Sequence, residues 1–393
     1  MRITGVRTTV VRMPIPAPPY STEGAGTKRE WYRLGRVTPE KPEPVLEYVI
    51  VTIETDEGAS GIGEAVTDIG FFGEPVEEVR SAIDVHLGPR LKGKDPFDRE
   101  TILNSIDFRG NSCAKAGIDL ALHDLIGKVL GVPVCVLLGG KVRRRVPVSV
   151  EIAGGPPDGM ARFCLSGMEH GIRAFKAKIG GIPEDDVERV AAMRAAAGPG
   201  VAIRADANQG YSVKEAIRFC HLAERRGVGI DLLEQPVAAW DLDGMAHVRA
   251  SVDTLIEADE SAYSIHDVIN IIRRNAADVI NIKIDKAGGL YAAKKIAAIA
   301  EAAGLKCVLG TAFGLGPEVA AKLHLAASTV GVTDAVEFTE ILLHENLLLP
   351  PAGNALALPL DADGCMPVPE GPGLGVDFDP ERFEAFTVDN RRG

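Results

Sequence analysis

The chain has 393 residues, 46% of them hydrophobic and 25% charged, and a net charge of −12. That length suits a β/α barrel of about 250 residues with one smaller domain, and the acidic balance argues against general nucleic-acid binding while leaving room for a local anion site. No apolar run reaches membrane-spanning length, and the six cysteines are scattered singly, which argues against a disulfide framework and fits the reduced thiols of a cytoplasmic protein.

The opening run MRITGVRTTVVRM alternates as a strand does and does not read as a signal peptide. Residues 14–44 lose that periodicity and carry seven prolines, the mark of a lid or binding loop. Trp31 and Tyr32, with nearby arginines, could grip a flat or anionic ligand there, and a solvated arm or subunit contact is the equal alternative. Strands follow at 46–54 and 61–66 around the turn Asp56-Glu57-Gly58, then a second glycine-rich loop at 68–75 and helical patterns near 76–88, 97–108 and 113–130. Strands first and helices after predict an α+β domain over 1–130.

From about residue 146 short β-rich runs alternate with helical stretches: VPVSVEI, AFKAKIG, VAIRADAN, IDLLEQP, TLIEADE, DVINIKID, KCVLGT and DAVEFT. Eight strands in that alternation predict a parallel (β/α) barrel over 131–340. One of the intervening helices starts at a capping-box pattern, Ser212 with Glu215. The tail, 341–393, is rich in Pro and Gly and ends in a strand-like FEAFTV that should pack back on the first domain.

In such barrels the C-terminal ends of the strands face the active site. Those ends carry Lys178, Asp206, Glu234, Asp259, Lys283 and Glu337, at steps of 28, 28, 25, 24 and 54 residues. Each of the first four steps is one β/α unit and the last is two. Any one of these acids alone reads as a solvated loop residue or an ion pair. Three carboxylates on adjacent strands, Asp206, Glu234 and Asp259, would repel and desolvate one another at a cost of several kcal/mol without a cation. All-oxygen ligands suit a hard divalent ion, with Mg²⁺ the first choice and Mn²⁺ the alternative.

Lys176 and Lys178 are two apart on one strand and face the same way, while Lys283 comes from another side of the mouth. A lysine base must be neutral near pH 7, and nearby positive charge from Lys176 and the metal would lower its pKa. Asn208 and Asn281 stand two residues from Asp206 and Lys283 and should also face inward, as polar supports of the site or as strand-end caps. Glu260 could help hold the metal, although alternation would turn it away. No histidine stands at a strand end; His123, His221 and His324 lie in helical stretches and read as structural.

The set Lys176-Ala-Lys178, Arg204-Ala-Asp206-Ala-Asn208, Leu233-Glu234-Gln235-Pro236, Ala258-Asp259-Glu260-Ser261 and Asn281-Ile-Lys283 with Ala287-Gly288-Gly289 resembles the enolase superfamily, and within it the mandelate racemase/muconate lactonizing enzyme family. The resemblance implies a modified (β/α)7β barrel with an N-terminal α+β capping domain completed by the C-terminal segment, and a homo-oligomer. It implies that Asp206, Glu234 and Asp259 bind Mg²⁺, that the ion stabilises an enediolate, and that Lys178 and Lys283 act as base and acid on opposite faces of a small-molecule carboxylate substrate. Glu337 falls where cycloisomerases of this family carry a carboxylate on the last strand. The Asp-x-Asp that dipeptide epimerases carry on that strand reads Val336-Glu337-Phe338 here, and the Met-Leu-Glu-Gly run of cycloisomerases reads Ala312-Phe313-Gly314-Leu315, leaving Phe313 in a small apolar substrate wall. The two opposed lysines favour α-proton abstraction with racemisation or epimerisation of an amino-acid-like acid. Cycloisomerisation and syn-dehydration of a hydroxyproline-like acid are the alternatives, and a hydrolase or aldolase, or a non-catalytic metal-binding relative, the readings of other classes.

Overall fold

A computed structural model describes residues 1–14, 36–38, 41–332, 334–342, 347–350 and 358–388. Trp31 and Tyr32 lie outside the described residues. Strands β1 (Ile3–Pro14), β2 (Arg36–Thr38), β3 (Lys41–Thr55) and β4 (Ser60–Thr67) form an antiparallel sheet followed by helices α1 (Val76–Ser81), α2 (Arg99–Ser105) and α3 (Ser112–Leu130). Strand β4 rides almost backbone to backbone on α3, because Gly61 and Gly63 have no Cβ: one at Gly61 would come within 2.3 Å of Ala121 O, and one at Gly63 within 2.1 Å of Gly117 O. Val49, Val51, Ile53 and Ala65 fill the space between this sheet and Ile118, Leu122 and Leu125 of α3.

After the short α4 (Val134–Leu137) strands and helices alternate, with two helices after β10: β5 (Arg145–Ile152), α5 (Pro157–Glu169), β6 (Ala174–Lys178), α6 (Pro183–Ala197), β7 (Ala202–Asp206), α7 (Val213–Arg225), β8 (Leu232–Glu234), α8 (Leu242–Ser251), β9 (Leu255–Ala258), α9 (Ile265–Arg274), β10 (Val279–Ile282), α10 (Ile284–Ala287), α11 (Leu290–Ala302), β11 (Lys306–Leu309), α12 (Pro317–Ser328) and β12 (Val336–Glu337). Eight parallel strands in the order β11-β10-β9-β8-β7-β6-β5-β12 make the near-closed barrel that the alternation predicts. The capping box forms as expected: Ser212 Oγ accepts from the Glu215 amide while Glu215 reaches back to the Ser212 amide.

The tail differs from its sequence pattern. FEAFTV is mostly helix, α13 (Pro380–Phe386), started by Asp379, whose carboxylate accepts from the amides of Glu381 and Arg382. Only β14 (Thr387–Val388) is extended, and it pairs antiparallel with β1. Strand β13 (Cys365–Pro367) pairs instead with β5 of the barrel. Among the described residues no helix is long and apolar enough to cross a membrane.

The joint between β4 and the barrel is polar and buried. Glu64 accepts from the amides of Leu315 (2.5 Å), Gly316 (3.1 Å) and Glu318 (3.0 Å) at the start of α12, donors a helix N-terminus leaves unsatisfied. Asp285 takes the Val66 amide at 2.9 Å, and Lys322 pairs with Glu340 at 2.6 Å.

Candidate active site

Strand register aligns the charged positions. Lys178 pairs with Asp206, Asp206 with Glu234, and Glu234 with Glu257. The fourth rung is thus Glu257, and Asp259 stands one pleat further toward the mouth. A layer below come Lys176 and Arg204. Every one of these side chains is buried, so the barrel interior is charged where such interiors are usually packed with aliphatic residues.

The ammonium groups divide the acids among themselves. Lys178 meets Asp206 at 2.7 Å and Glu151 at 3.1 Å. Lys283 meets Asp259 at 2.8 Å, and Lys286 meets the other oxygen of Asp259 at 2.5 Å. Lys176 lies within 2.9 Å of Glu151, Glu234 and Glu337 and 3.7 Å from Asp206. Burial disfavours the Lys176 cation, but these charges outweigh it and hold the group well above the usual lysine range. Lys176 is therefore a cation enclosed by carboxylates beneath the mouth. Burial opposes ionisation of Asp259 too, yet Lys283 and Lys286 keep it below the ordinary carboxylate range.

Asp206, Glu234 and Asp259 share one mouth, but among the described residues no three His, Cys, Asp or Glu side chains are drawn together at metal-ligand spacing. Like charges separate, and each acid turns to its own ammonium. The remaining features still fit a hard divalent cation. Seven carboxyl groups (Glu151, Asp206, Glu234, Glu257, Asp259, Glu260, Glu337) line the interior against five cations (Lys176, Lys178, Arg204, Lys283, Lys286), two more acids than cations. Burial first, then Asp206, pushes the Glu234 carboxyl well above its ordinary range, and burial with Glu337 pushes Glu257 up to about 8. Buried hard oxygens without a hydrogen-bond partner include Asn208 Oδ1 and Glu260 Oε2 beside Asp206 and Asp259, and Glu257 Oε2 and Asn281 Oδ1 deeper in. Surplus carboxyls held back from ionising, beside orphaned oxygens, are what an oxygen-seeking cation would draw into the charged, ligating form.

Glu260 corrects an expectation. Alternation turns it away from the site, but β9 ends at Ala258, so alternation no longer governs residue 260. Its carboxyl accepts from Asn208 Nδ2 at 3.1 Å, and burial, with Asp259 and Asp206 adding, raises it to about 7. Asn208 holds its place through its amide, 2.8 Å from Asp206 Oδ1. Asn281 bridges Glu234 (3.1 Å) and Glu257 (3.0 Å) through one amide nitrogen. Glu337, besides Lys176, accepts from the Thr311 amide at 3.2 Å. Phe313 sits half-buried at φ +61°, a left-handed backbone unusual for a bulky residue. Its amide donates to Thr311 Oγ1 (2.9 Å), and its carbonyl accepts from Tyr48 on β3 (2.8 Å). The wall after β11 is thus less apolar than its sequence, since Thr311 also bonds Glu340 at 2.5 Å. The helical histidines are structural, with His123 and His324 buried against main-chain carbonyls.

Four further contributors lie outside the strand-end pattern. Glu151 on β5 stands 27 residues before Lys178, one more period back along the same repeat. Glu257 and Arg204 lie two residues before Asp259 and Asp206, where the rule that pairs Lys176 with Lys178 finds them. Lys286, on the first turn after β10, has no such signal.

A charged parallel barrel with acids and lysines at its strand ends, beneath a cap of antiparallel sheet and helices, defines the enolase-type enzymes. Residues 43–139 match the N-terminal domain of mandelate racemase/muconate lactonizing enzyme, and residues 159–382 match the enolase C-terminal domain-like family. The N-succinyl-L-Arg/Lys racemase of Bacillus cereus is 32% identical over 395 residues, 99% of this chain and 98% of that protein. The dipeptide epimerase of Enterococcus faecalis, solved with Mg and the dipeptide L-Leu-L-Tyr, superposes with a TM-score of 0.84 at 30% identity, over 96% of this chain and 100% of that one. The muconate lactonizing enzyme of Pseudomonas fluorescens, solved with muconolactone, gives 0.86 at 31% identity over 98% and 99%. The chain belongs to the mandelate racemase/muconate lactonizing enzyme family of the enolase superfamily, and it is an enzyme.

Proposed function

We propose that the protein is a Mg²⁺-dependent racemase or epimerase acting at the α-carbon of an N-acyl amino acid or dipeptide carboxylate. The observation that carries this reading is the placement of Lys178 and Lys283. Their strands, β6 and β10, stand four places apart in a ring of eight, so the two amines address opposite faces of anything held between them.

Asp206, Glu234 and Asp259 would hold the ion, with Glu260 and Asn208 as adjoining oxygens. When bound, it supplies positive charge beside the substrate carboxylate, an electrostatic contribution of several kcal/mol. Lys178 in its neutral form takes the α-proton from one face, leaving an enediolate. The Lys283 ammonium returns a proton to the other face, which inverts the centre; the reverse direction exchanges the two roles. Lys176 fixes Glu234 and Glu337 and keeps the floor of the site from closing on itself. Six free cysteines, five of them buried, support a cytoplasmic location.

A muconate-type cycloisomerase is the second reading, favoured by the kinship with muconate lactonizing enzyme. Glu337 lends it little, since its oxygens are engaged by Lys176 and Thr311. The test is incubation with dipeptides, N-succinyl amino acids and unsaturated diacids in D₂O with Mg²⁺, followed by NMR. Deuterium at the α-carbon and accumulation of both stereoisomers of an N-acyl amino acid is the expected result. Lactone formation from a diacid, with no exchange in any amino-acid derivative, would replace this reading with the second.

A further inference from the structure

Among the described residues, the cap reaches Lys283 through the ring of Phe71. The Lys283 ammonium sits 3.8 Å from the centroid of Phe71, in the loop 68–75 between β4 and α1. A cation at that distance over an aromatic face is attracted by the ring's quadrupole, and more strongly where water is excluded. The ring is held from several directions. Asp68 accepts from the Phe71 amide at 2.8 Å and bridges to Glu74 at the other end of the loop. Glu74 in turn caps α3, accepting from the amides of Ser112 (2.7 Å) and Cys113 (3.1 Å). On the barrel side, Tyr263 donates its hydroxyl to the Phe71 carbonyl and stacks on the Phe71 ring, with centroids 6.0 Å apart and planes 21° from parallel. Among the described residues, Lys178 meets Glu151 and Asp206, both of the barrel, and not Phe71.

We propose that Phe71 is a positioning residue: its ring, stacked on Tyr263 of the barrel and carried by a cap loop that Asp68 and Glu74 anchor, seats the Lys283 ammonium against Asp259 and makes proton transfer on the Lys283 face depend on the cap loop. The inference rests on the two-lysine reading above. It gives the faces different sensitivities. The Lys283 face needs the loop in place, and the Lys178 face does not need Phe71. A small error in the position of a transferring group lowers the rate constant more than it weakens substrate binding.

The test uses F71A, F71W and Y263F in the full chain with Mg²⁺. Deuterium exchange is followed separately from each α-face of an N-acyl amino acid, the faces being assigned by K178M and K283M. F71A should lower kcat at the Lys283 face about tenfold, with a smaller change in KM and exchange at the Lys178 face within about twofold. F71W should restore most of the loss, because it supplies a ring again. Y263F should act in the same direction more weakly. Equal loss at both faces, or no loss at either, overturns the proposal.

A second measurement needs no substrate. Brief acetylation at one pH, read by peptide mass spectrometry, should modify Lys283 about threefold faster in F71A than in the unaltered protein, with Lys178 unchanged and F71W returned to the original rate. Unchanged Lys283 labelling in F71A overturns the proposal as well. If the unaltered protein exchanges none of the acids offered, the racemase reading falls, and the labelling contrast still decides whether Phe71 seats Lys283.

Discussion

Two buried charge clusters lie close together in this molecule and are neutralised by opposite means. In the barrel mouth, carboxylates are matched with ammonium groups: Asp206 with Lys178, Asp259 with Lys283 and Lys286, Glu234 and Glu337 with Lys176. At the joint between β4 and the barrel, Glu64 and Asp285 are met chiefly by main-chain amides. Side-chain ammonium groups can give up or accept a proton and can move. Backbone amides can do neither. The same residue type thus serves chemistry in one place and rigid assembly in the other, and the partner decides which.

The contrast can be broken most sharply at its reactive end. Replacing Lys178 or Lys283 with Met should lower racemisation by about 1,000-fold or more, each variant retaining α-proton exchange on one face alone. Equal residual exchange on both faces would end the two-base assignment. At the rigid end, E64A strands three buried amides and should cost about 3 kcal/mol of stability, read by urea denaturation, with catalytic constants changed far less in the fraction that remains folded.

The acids of the joint also predict a pH dependence. Burial, against the opposing backbone donors, pushes Glu64 from 4.5 up to about 7, and burial lifts Glu318 to about 8. Both folded values exceed the unfolded one, so the folded chain binds more protons between them. The stability they contribute is complete below about pH 4.5 and is lost as the pH rises through 7 to 8. E64Q should flatten the lower part of that decline in a series of denaturation curves. A slope as steep as in the unaltered protein would place the titration elsewhere.

Smaller effects sharpen the boundary between the clusters. E260Q removes one charge beside the orphaned oxygens and should weaken Mg²⁺ binding roughly tenfold by calorimetry. Y48F withdraws the donor that pins the left-handed backbone of Phe313 and should cost about 1 kcal/mol in thermal or urea unfolding.

Much of this could be read from the chain alone, for a definite reason. A β/α unit has a nearly fixed length, so residues that share a function at strand ends recur at a nearly fixed step, and Lys178, Asp206 and Glu234 do so. The same rule reaches Glu151 if carried one unit back, and Arg204 and Glu257 if carried one pleat down. It fails beyond the last residue of a strand, and Glu260 shows this: the period of two ends with β9. It also cannot see across domains. Nothing in the spacing of Phe71 and Tyr263, 192 residues apart, foretells that one carbonyl and one hydroxyl join them. The enclosure of Lys176 was equally hidden, because four acids from four different strands create it.

The seating of β4 on α3 bears on how such an enzyme could be re-engineered. With Gly61 and Gly63 in near contact with the helix backbone, no larger side chain can be inserted there to tilt or lift the cover. Adapting the catalyst to bulkier acids would have to leave that seam untouched and recut the turn that carries Phe71, so the route to new selectivity is narrow and short.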